Sequence, residues 1–302
     1  MTKARKIFLI IGLLIGLGIM AYPFITTTIE NRKQTSIAMN VSTIVQDTDA
    51  EKLNEIMDQC IEYNSALSGI PSIFNEDGSL KTVSEDEYTE LLDFGNGAMG
   101  TLEIPALDIE IPIYHGTTNE TISKGAGHLY GSSLPVGGSS THAILVSHSG
   151  LSTATLFTHL NDLEAGDTVY VHILNEVHAY VVTDKDIVQP EQVDSLGIEE
   201  DKDILTLVTC YPVTVNTHRL LVNCERDKTQ DKTEENLSGN TAVLSTSDRN
   251  DADIWNVVNK DDRDYNAERK ANKAAIMIAI STGVFFAIVL LVLALEKRKR
   301  KQ

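Results

Sequence analysis

The sequence predicts a mainly β protein: an antiparallel-rich barrel, closed or nearly so, preceded by helices and held between two transmembrane helices. Three observations carry this reading. Short runs of alternating polarity recur from Met99 onward, many separated by Gly- or Pro-bearing turns. Upstream, residues 30–65 space their apolar side chains three to four apart, the helical period. Near each end of the chain lies a long uncharged apolar run with basic residues on its terminal side.

Taken in order, residues 1–29 hold a basic tail, with Lys3, Arg5 and Lys6, and a stretch without charge that is almost wholly apolar from 7 to 25. A cleaved signal peptide would leave a small-x-small site, which the end of this run, Gly18 to Phe24, lacks, so an uncleaved anchor is expected. In residues 30–65, Ile37, Val41, Ile44 and Val45 are followed by Leu53, Ile56, Met57, Cys60 and Ile61, with Asp49 placed to cap a second helix. Residues 66–98 are punctuated by Gly69, Pro71, Gly78, Gly95 and Gly97, a long connection with room for a helical turn between Val83 and Phe94.

The barrel occupies 99–226. Its expected strands are Met99–Ile104, Ile109–Tyr114, Ala143–Ser147, Thr168–Ile173, His178–Thr183, Ile204–Thr209 and Leu220–Asn223, with a short helical insert at Thr155–Leu160. Residues 227–273 are polar and poor in large apolar groups, the composition of a spacer. Ala274–Leu295 is long enough to cross a bilayer, which takes about 20 residues. The tail 296–302 carries Lys297 to Lys301, so a trimmed lipid-anchor signal is not expected. Basic residues mark the cytoplasmic side, which places both termini inside the cell and 30–273 outside.

Charge narrows the partners. The chain carries −18, from 43 acidic and 25 basic residues, and eight of those basic residues lie in the two tails. The exported portion is therefore more acidic still. Nucleic acid, which requires a basic face, is not expected as a partner. No His-Glu-x-x-His, no Cys-x-x-Cys and no glycine-rich phosphate loop is present, so neither a metal nor another cofactor is implied. Cysteines 60, 210 and 224 are odd in number, so at least one thiol is unpaired within the chain. Cys60 falls on a helical apolar stripe and reads as a small core residue.

Cys210 reads differently. Leu205-Thr-Leu-Val-Thr-Cys-Tyr-Pro212 is a β-branched strand that stops at a proline, which sets the thiol at a strand end facing a loop. A short loop later, His218-Arg-Leu-Leu-Val222 forms the next strand, and Arg219 can lie near Cys210 to stabilise a thiolate or an oxyanion. A cysteine nucleophile needs an imidazole for proton transfer. His115, His142 and His148 all sit at strand–turn junctions, and periodicity does not choose among them.

These motifs resemble the sortase family. Thr206-Leu-Val-Thr-Cys210 is similar to its catalytic strand, and Asn216-Thr-His-Arg-Leu-Leu-Val222 to the arginine strand of its pilus-assembling branch, class C. Ile111-Pro-Ile-Tyr-His-Gly116, Gly127-His-Leu-Tyr-Gly-Ser-Ser-Leu-Pro-Val-Gly-Gly-Ser-Ser-Thr-His142 and Leu156-Phe-Thr-His-Leu-Asn161 resemble that branch too.

The resemblance, over about 99–226, implies an eight-stranded sortase barrel with N-terminal helices. It implies a cysteine transpeptidase that cleaves a Leu-Pro-x-Thr-Gly-like sorting signal between Thr and Gly. The resulting thioacyl enzyme is resolved by a lysine amine of a pilin subunit. Its partners would be surface proteins bearing such signals, and its place the cell membrane of a Gram-positive cell. On the family's motifs, Cys210 is the nucleophile, His148 the general acid/base and Arg219 the electrostatic stabiliser. A sortase that attaches proteins to peptidoglycan is the neighbouring reading, and an exported scaffold or receptor the non-enzymatic one.

Three departures stand out. Ser149 follows His148 where the family usually has Arg, and is expected to touch local polarity, not the reaction type. Residues 66–98 take the place of the family's lid without its Asp-Pro-aromatic motif, which leaves Phe74 as the aromatic lid candidate. Cys224 stands where Gly is common.

Overall fold

The computed structural model describes residues 3–67, 85–94, 97–190, 192 and 196–233. All of them fall in one compact unit, Met1–Ile254; a second unit, Trp255–Gln302, lies outside the described residues. Helix α1 (Lys3–Gln46) runs on from the first apolar stretch. Gln34, Ala38, Val41 and Val45 are its buried stripe, at the three-to-four spacing of one helical face. α2 (Ala50–Ala66) starts where the sequence suggested, with the Asp49 carboxylate accepting the Glu51 N–H. Its Asn64 donates to the Leu134 carbonyl and accepts the Leu134 N–H, which pins α2 to the barrel. α3 (Glu85–Glu90) is the helical turn expected between Val83 and Phe94.

The strands are β1 (Ala98–Ile104), β2 (Ile109–His115), β3 (Ala126–His128), β4 (Thr141–Val146), β5 (Thr168–Ile173), β6 (Glu176–Val188), β7 (Asp203–Tyr211), β8 (His218–Arg226) and β9 (Lys232–Thr233). Their order is β5-β1-β2-β3-β4-β7-β8-β6-β9, and β5 also pairs with β6. Strands β1 to β8 therefore close into a ring, and β9 adds two residues to β6. The β2–β3 and β4–β7 pairs are parallel and the others antiparallel. A short helix, α4 (Asn119–Lys124), bridges β2 and β3. Close strand approach is built in at Gly100, where a Cβ would meet the His172 carbonyl oxygen at 2.4 Å.

Three expectations change. The insert at Thr155–Leu160 is a pair of turns and a 3-10 segment, Leu160–Asp162, not an α-helix. Buried Leu156, Phe157 and Leu160 pull that chain inward, with N–H bonds reaching back three residues instead of four. Strand β3 was not foreseen. And the first residues of the expected spacer belong to the fold: Asp231 accepts a bidentate pair from Arg226, at 2.9 Å each, and the Ala179 N–H.

Among the described residues no helix is long and apolar enough to cross a membrane. The run 274–295 lies outside the described residues, as do most side chains of the run 7–25. Phe74, the lid candidate, is outside them as well.

Candidate active site

Burial divides the faces of β4, β7 and β8. Ala143, Leu145, Leu205, Leu207, Leu220, Val222 and Cys224 join the main core, while Ile144, Val208 and Leu221 form a separate cluster with Leu196. Alternation along each strand puts Cys210 and Arg219 on the face of that second cluster. His148 follows if the β4 register is carried past Val146. Both faces are covered along most of these strands, which is why β7 is buried from Asp203 to Thr209 and opens only at Cys210.

Register brings the three side chains together. β7 and β8 place Cys210 directly opposite Arg219, a pairing that sets Cα atoms about 4.5–5.5 Å apart. β4 runs parallel to β7 with Val146 level with Val208. Two residues further the same register sets His148 level with Cys210. Hydrogen bonds carry it past the strand end: the Ser147 N–H donates to the Val208 carbonyl at 3.1 Å, and the Thr209 hydroxyl to the Ser147 carbonyl at 2.8 Å. His148, on the segment that leaves β4, is thus level by register with Cys210 on β7 and Arg219 on β8, and each of the three is half-buried.

The surroundings discriminate among the histidines and the cysteines. His115 has one ring nitrogen on the Gly97 carbonyl and the other on that of Leu91. His142 is spent on the Gly197 carbonyl and the Thr206 hydroxyl. Among the described residues only His148 of these three has both ring nitrogens uncommitted. Partial burial holds its imidazole below the ordinary value, so it is neutral at pH 7 and able to accept a proton. Cys60 is fully buried and burial pushes its thiol up to about 12; the Cys224 thiol, also fully buried, is pushed up further, chiefly by burial with Asp184 adding to it. Neither can supply a thiolate at neutral pH, and all three cysteines are free.

Arg219 donates from one nitrogen to the His218 carbonyl, at 3.1 Å, and to that of Asn216. Among the described residues no carboxylate pairs with it, so its charge stays available to the thiol opposite. Within the same set no cluster of His, Cys, Asp or Glu could hold a metal ion.

Of two further neighbours of His148, Cys210 and Arg219, Ser149 was singled out in the sequence for its polarity but not for the bond it makes, and Gly150 was missed. The Ser149 hydroxyl donates to the Cys210 carbonyl at 2.6 Å, a contact within the polarity change expected there. Gly150, at φ +73°, packs so tightly against the loop after Cys210 that a Cβ would come within 2.9 Å of Val213. A small hydroxyl residue and a glycine right after a candidate histidine were the available signal.

The geometry invites comparison with known proteins. The family profile described as "Sortase domain" matches residues 102–227. Sortase A of Streptococcus agalactiae is 34% identical over 134 residues, 43% of this chain and 53% of the relative. The chain spans about half the length of the first curated relatives it matches. A sortase C of Streptococcus pneumoniae, described for its catalysis and pilin substrate specificity, is 39% identical, with 64% of this chain and 96% of that chain covered and a TM-score of 0.57. Sortase C-1 of Actinomyces oris is 41% identical, with 59% and 98% covered and a TM-score of 0.54.

Proposed function

Because the chain belongs to the sortase family, with solved class C members among its structural likenesses, we propose that it is a membrane-anchored cysteine transpeptidase that assembles pilins. It cleaves a Leu-Pro-x-Thr-Gly-like signal between Thr and Gly and passes the acyl group to a lysine amine of another pilin subunit. The observation that carries this is the row at the ends of β4, β7 and β8: one available imidazole, one available thiol and one guanidinium without a carboxylate partner among the described residues, level by register.

In this reading neutral His148 takes the proton of the Cys210 thiol, and the thiolate attacks the Thr carbonyl carbon. Arg219 faces the negative charge, first on sulfur and then on the tetrahedral oxygen. The C–N bond breaks as the imidazolium returns its proton to the departing Gly amine. The lysine amine then attacks the thioester, losing its proton to His148, and the thiolate leaves. The apolar cluster of Ile144, Val208, Leu221 and Leu196 borders this row and suits the apolar residues that precede the scissile bond.

The two apolar runs would anchor the enzyme. In support, Tyr22, Ile25 and Ile29 are more than half exposed on α1, just before its barrel-facing stripe begins. The basic tails put both termini in the cytoplasm and the barrel on the outer face, as a sortase of a Gram-positive surface requires. Incubating the enzyme with a sorting peptide, with and without a lysine-bearing pilin domain, tests the acceptor. Mass spectrometry should find an isopeptide to lysine. A product joined only to a peptidoglycan-precursor amine would make the enzyme a wall-anchoring sortase, and no covalent product with either would reject the transferase reading.

A further inference from the structure

His148 lies on the segment that leaves β4, and that segment is gripped from two sides. Toward the nucleophile strand, the hydroxyl of Thr209 bonds the Ser147 carbonyl and the hydroxyl of Ser149 bonds the Cys210 carbonyl, at 2.8 and 2.6 Å. These contacts bracket His148 in sequence, one residue before it and one after. On the other side stands helix α1. The Asn31 amide donates to the Thr155 hydroxyl at 2.9 Å, and its oxygen accepts the Thr155 N–H at 3.1 Å. The Thr27 hydroxyl reaches the Ser152 carbonyl. Between the grips the loop closes on itself, with the Phe157 N–H on the His148 carbonyl and the Gly150 N–H on the Thr158 hydroxyl.

A side chain in a loop is only as well placed as the backbone beneath it, and a proton transfer depends steeply on donor–acceptor distance. Main-chain ladder bonds would normally supply that rigidity, but β4 ends at Val146, two residues short of His148, and the last main-chain bond from this segment to β7 is that of the Ser147 N–H to the Val208 carbonyl. The hydroxyls of Thr209 and Ser149 continue the β4–β7 register where the ladder stops. Asn31 offers its donor and its acceptor to one residue of the same loop, a two-point contact that resists rotation as well as separation.

We propose that Ser149 and Asn31 are positioning residues for His148: Ser149 fixes the histidine loop to the strand of Cys210, and Asn31 fixes it to α1. The helix that continues from the first apolar run is thereby part of the catalytic framework. The proposal rests on the reading of Cys210 and His148 as nucleophile and acid/base.

The full chain, held in detergent or nanodiscs, is compared as wild type, Ser149→Ala, Ser149→Thr, Asn31→Ala and Asn31→Asp. Thr keeps the hydroxyl, and Asp can accept from both Thr155 groups. Two readouts are taken: kcat and KM for cleavage of a Leu-Pro-x-Thr-Gly peptide, and the alkylation rate of Cys210 against pH, which needs no substrate. Each alanine variant should lose between about tenfold and a hundredfold in kcat, with KM within about twofold. Each should also alkylate more slowly at pH 7 but not at pH 10, where a thiol ionises without help. Ser149→Thr and Asn31→Asp should recover most of both.

Wild-type kcat and alkylation profiles in the alanine variants would overturn the proposal. So would equal losses in the conservative variants, or a fall in alkylation at both pH values together with lowered thermal stability, which would mark a purely structural role. Peptide cleavage surviving in Cys210→Ala would instead sink the transpeptidase reading, while the alkylation profile would still decide the roles of Ser149 and Asn31.

Discussion

A thiol at the mouth of a strand and a thiol in a core differ in chemistry before any partner is considered. Burial pushes Cys60 up to about 12 and Cys224 further, whereas Cys210 is half-exposed beside a guanidinium that no carboxylate among the described residues pairs. A soluble alkylating reagent at pH 7.5 should therefore label Cys210 alone in the folded protein, with the other two reacting only after unfolding. Peptide mapping checks this, and early label on Cys224 would contradict the assignment of that thiol to the core. Cys210→Ala should abolish turnover, while Cys60→Ala and Cys224→Ala should nearly preserve it. His148→Ala and Arg219→Ala should each cost about 10²–10³-fold or more.

His128 sets a pH dependence of stability. Its ring is enclosed, with Nε2 on the Ser133 carbonyl, so Nε2 carries the proton and Nδ1 accepts from the Tyr88 hydroxyl at 2.7 Å. Burial holds it down at about 4, outweighing the opposing Ser133 bond. Below pH 6.5 the unfolded chain takes up a proton that the fold refuses, so stability falls as pH drops from about 6.5 to about 4, by about 3 kcal/mol in all. Denaturant titrations across this range should show the slope reduced by about one proton in His128→Gln. An unchanged slope would show that His128 is not the group responsible.

At the scale of elements, the site is a matter of strand order. The alternating runs revealed most strands in the sequence, and Asp49 marked the start of α2. β3 stayed hidden because three residues, Ala-Gly-His, carry no measurable alternation. The parallel β4–β7 pair was equally invisible, since nothing local to either strand says which will lie beside which. That pairing is what brings His148 to Cys210, and without it the residues alone left three histidines open; family resemblance made the choice. The Arg226–Asp231 contact was missed because a polar composition hides an anchoring residue among spacer-like ones. Asp231→Ala should lower stability by about 1–3 kcal/mol, because Arg226, mostly buried, loses its two 2.9 Å bonds and keeps, among the described residues, the longer 3.3 Å pair with Asp203 and its place over the Tyr180 ring. Thermal unfolding checks this, and an unshifted midpoint would show that 227–233 are mere tether.

For the whole molecule, charge and topology make one claim. The chain is acidic at −18, yet eight of its 25 basic residues crowd the two tails outside the apolar runs. If both ends lie in the cytoplasm, as proposed, an epitope after Gln302 should survive protease added to intact protoplasts while the barrel is digested. Loss of that epitope would show that the second run does not cross as proposed. Most direct is the covalent intermediate itself. The intact mass of the full chain, quenched in acid after mixing with a Leu-Pro-x-Thr-Gly peptide, should rise by the acyl fragment ending in Thr. The added mass should map to Cys210, disappear on adding hydroxylamine, and be absent in Cys210→Ala. Peptide cleavage with no adduct at Cys210, or with an adduct persisting in Cys210→Ala, would contradict the account.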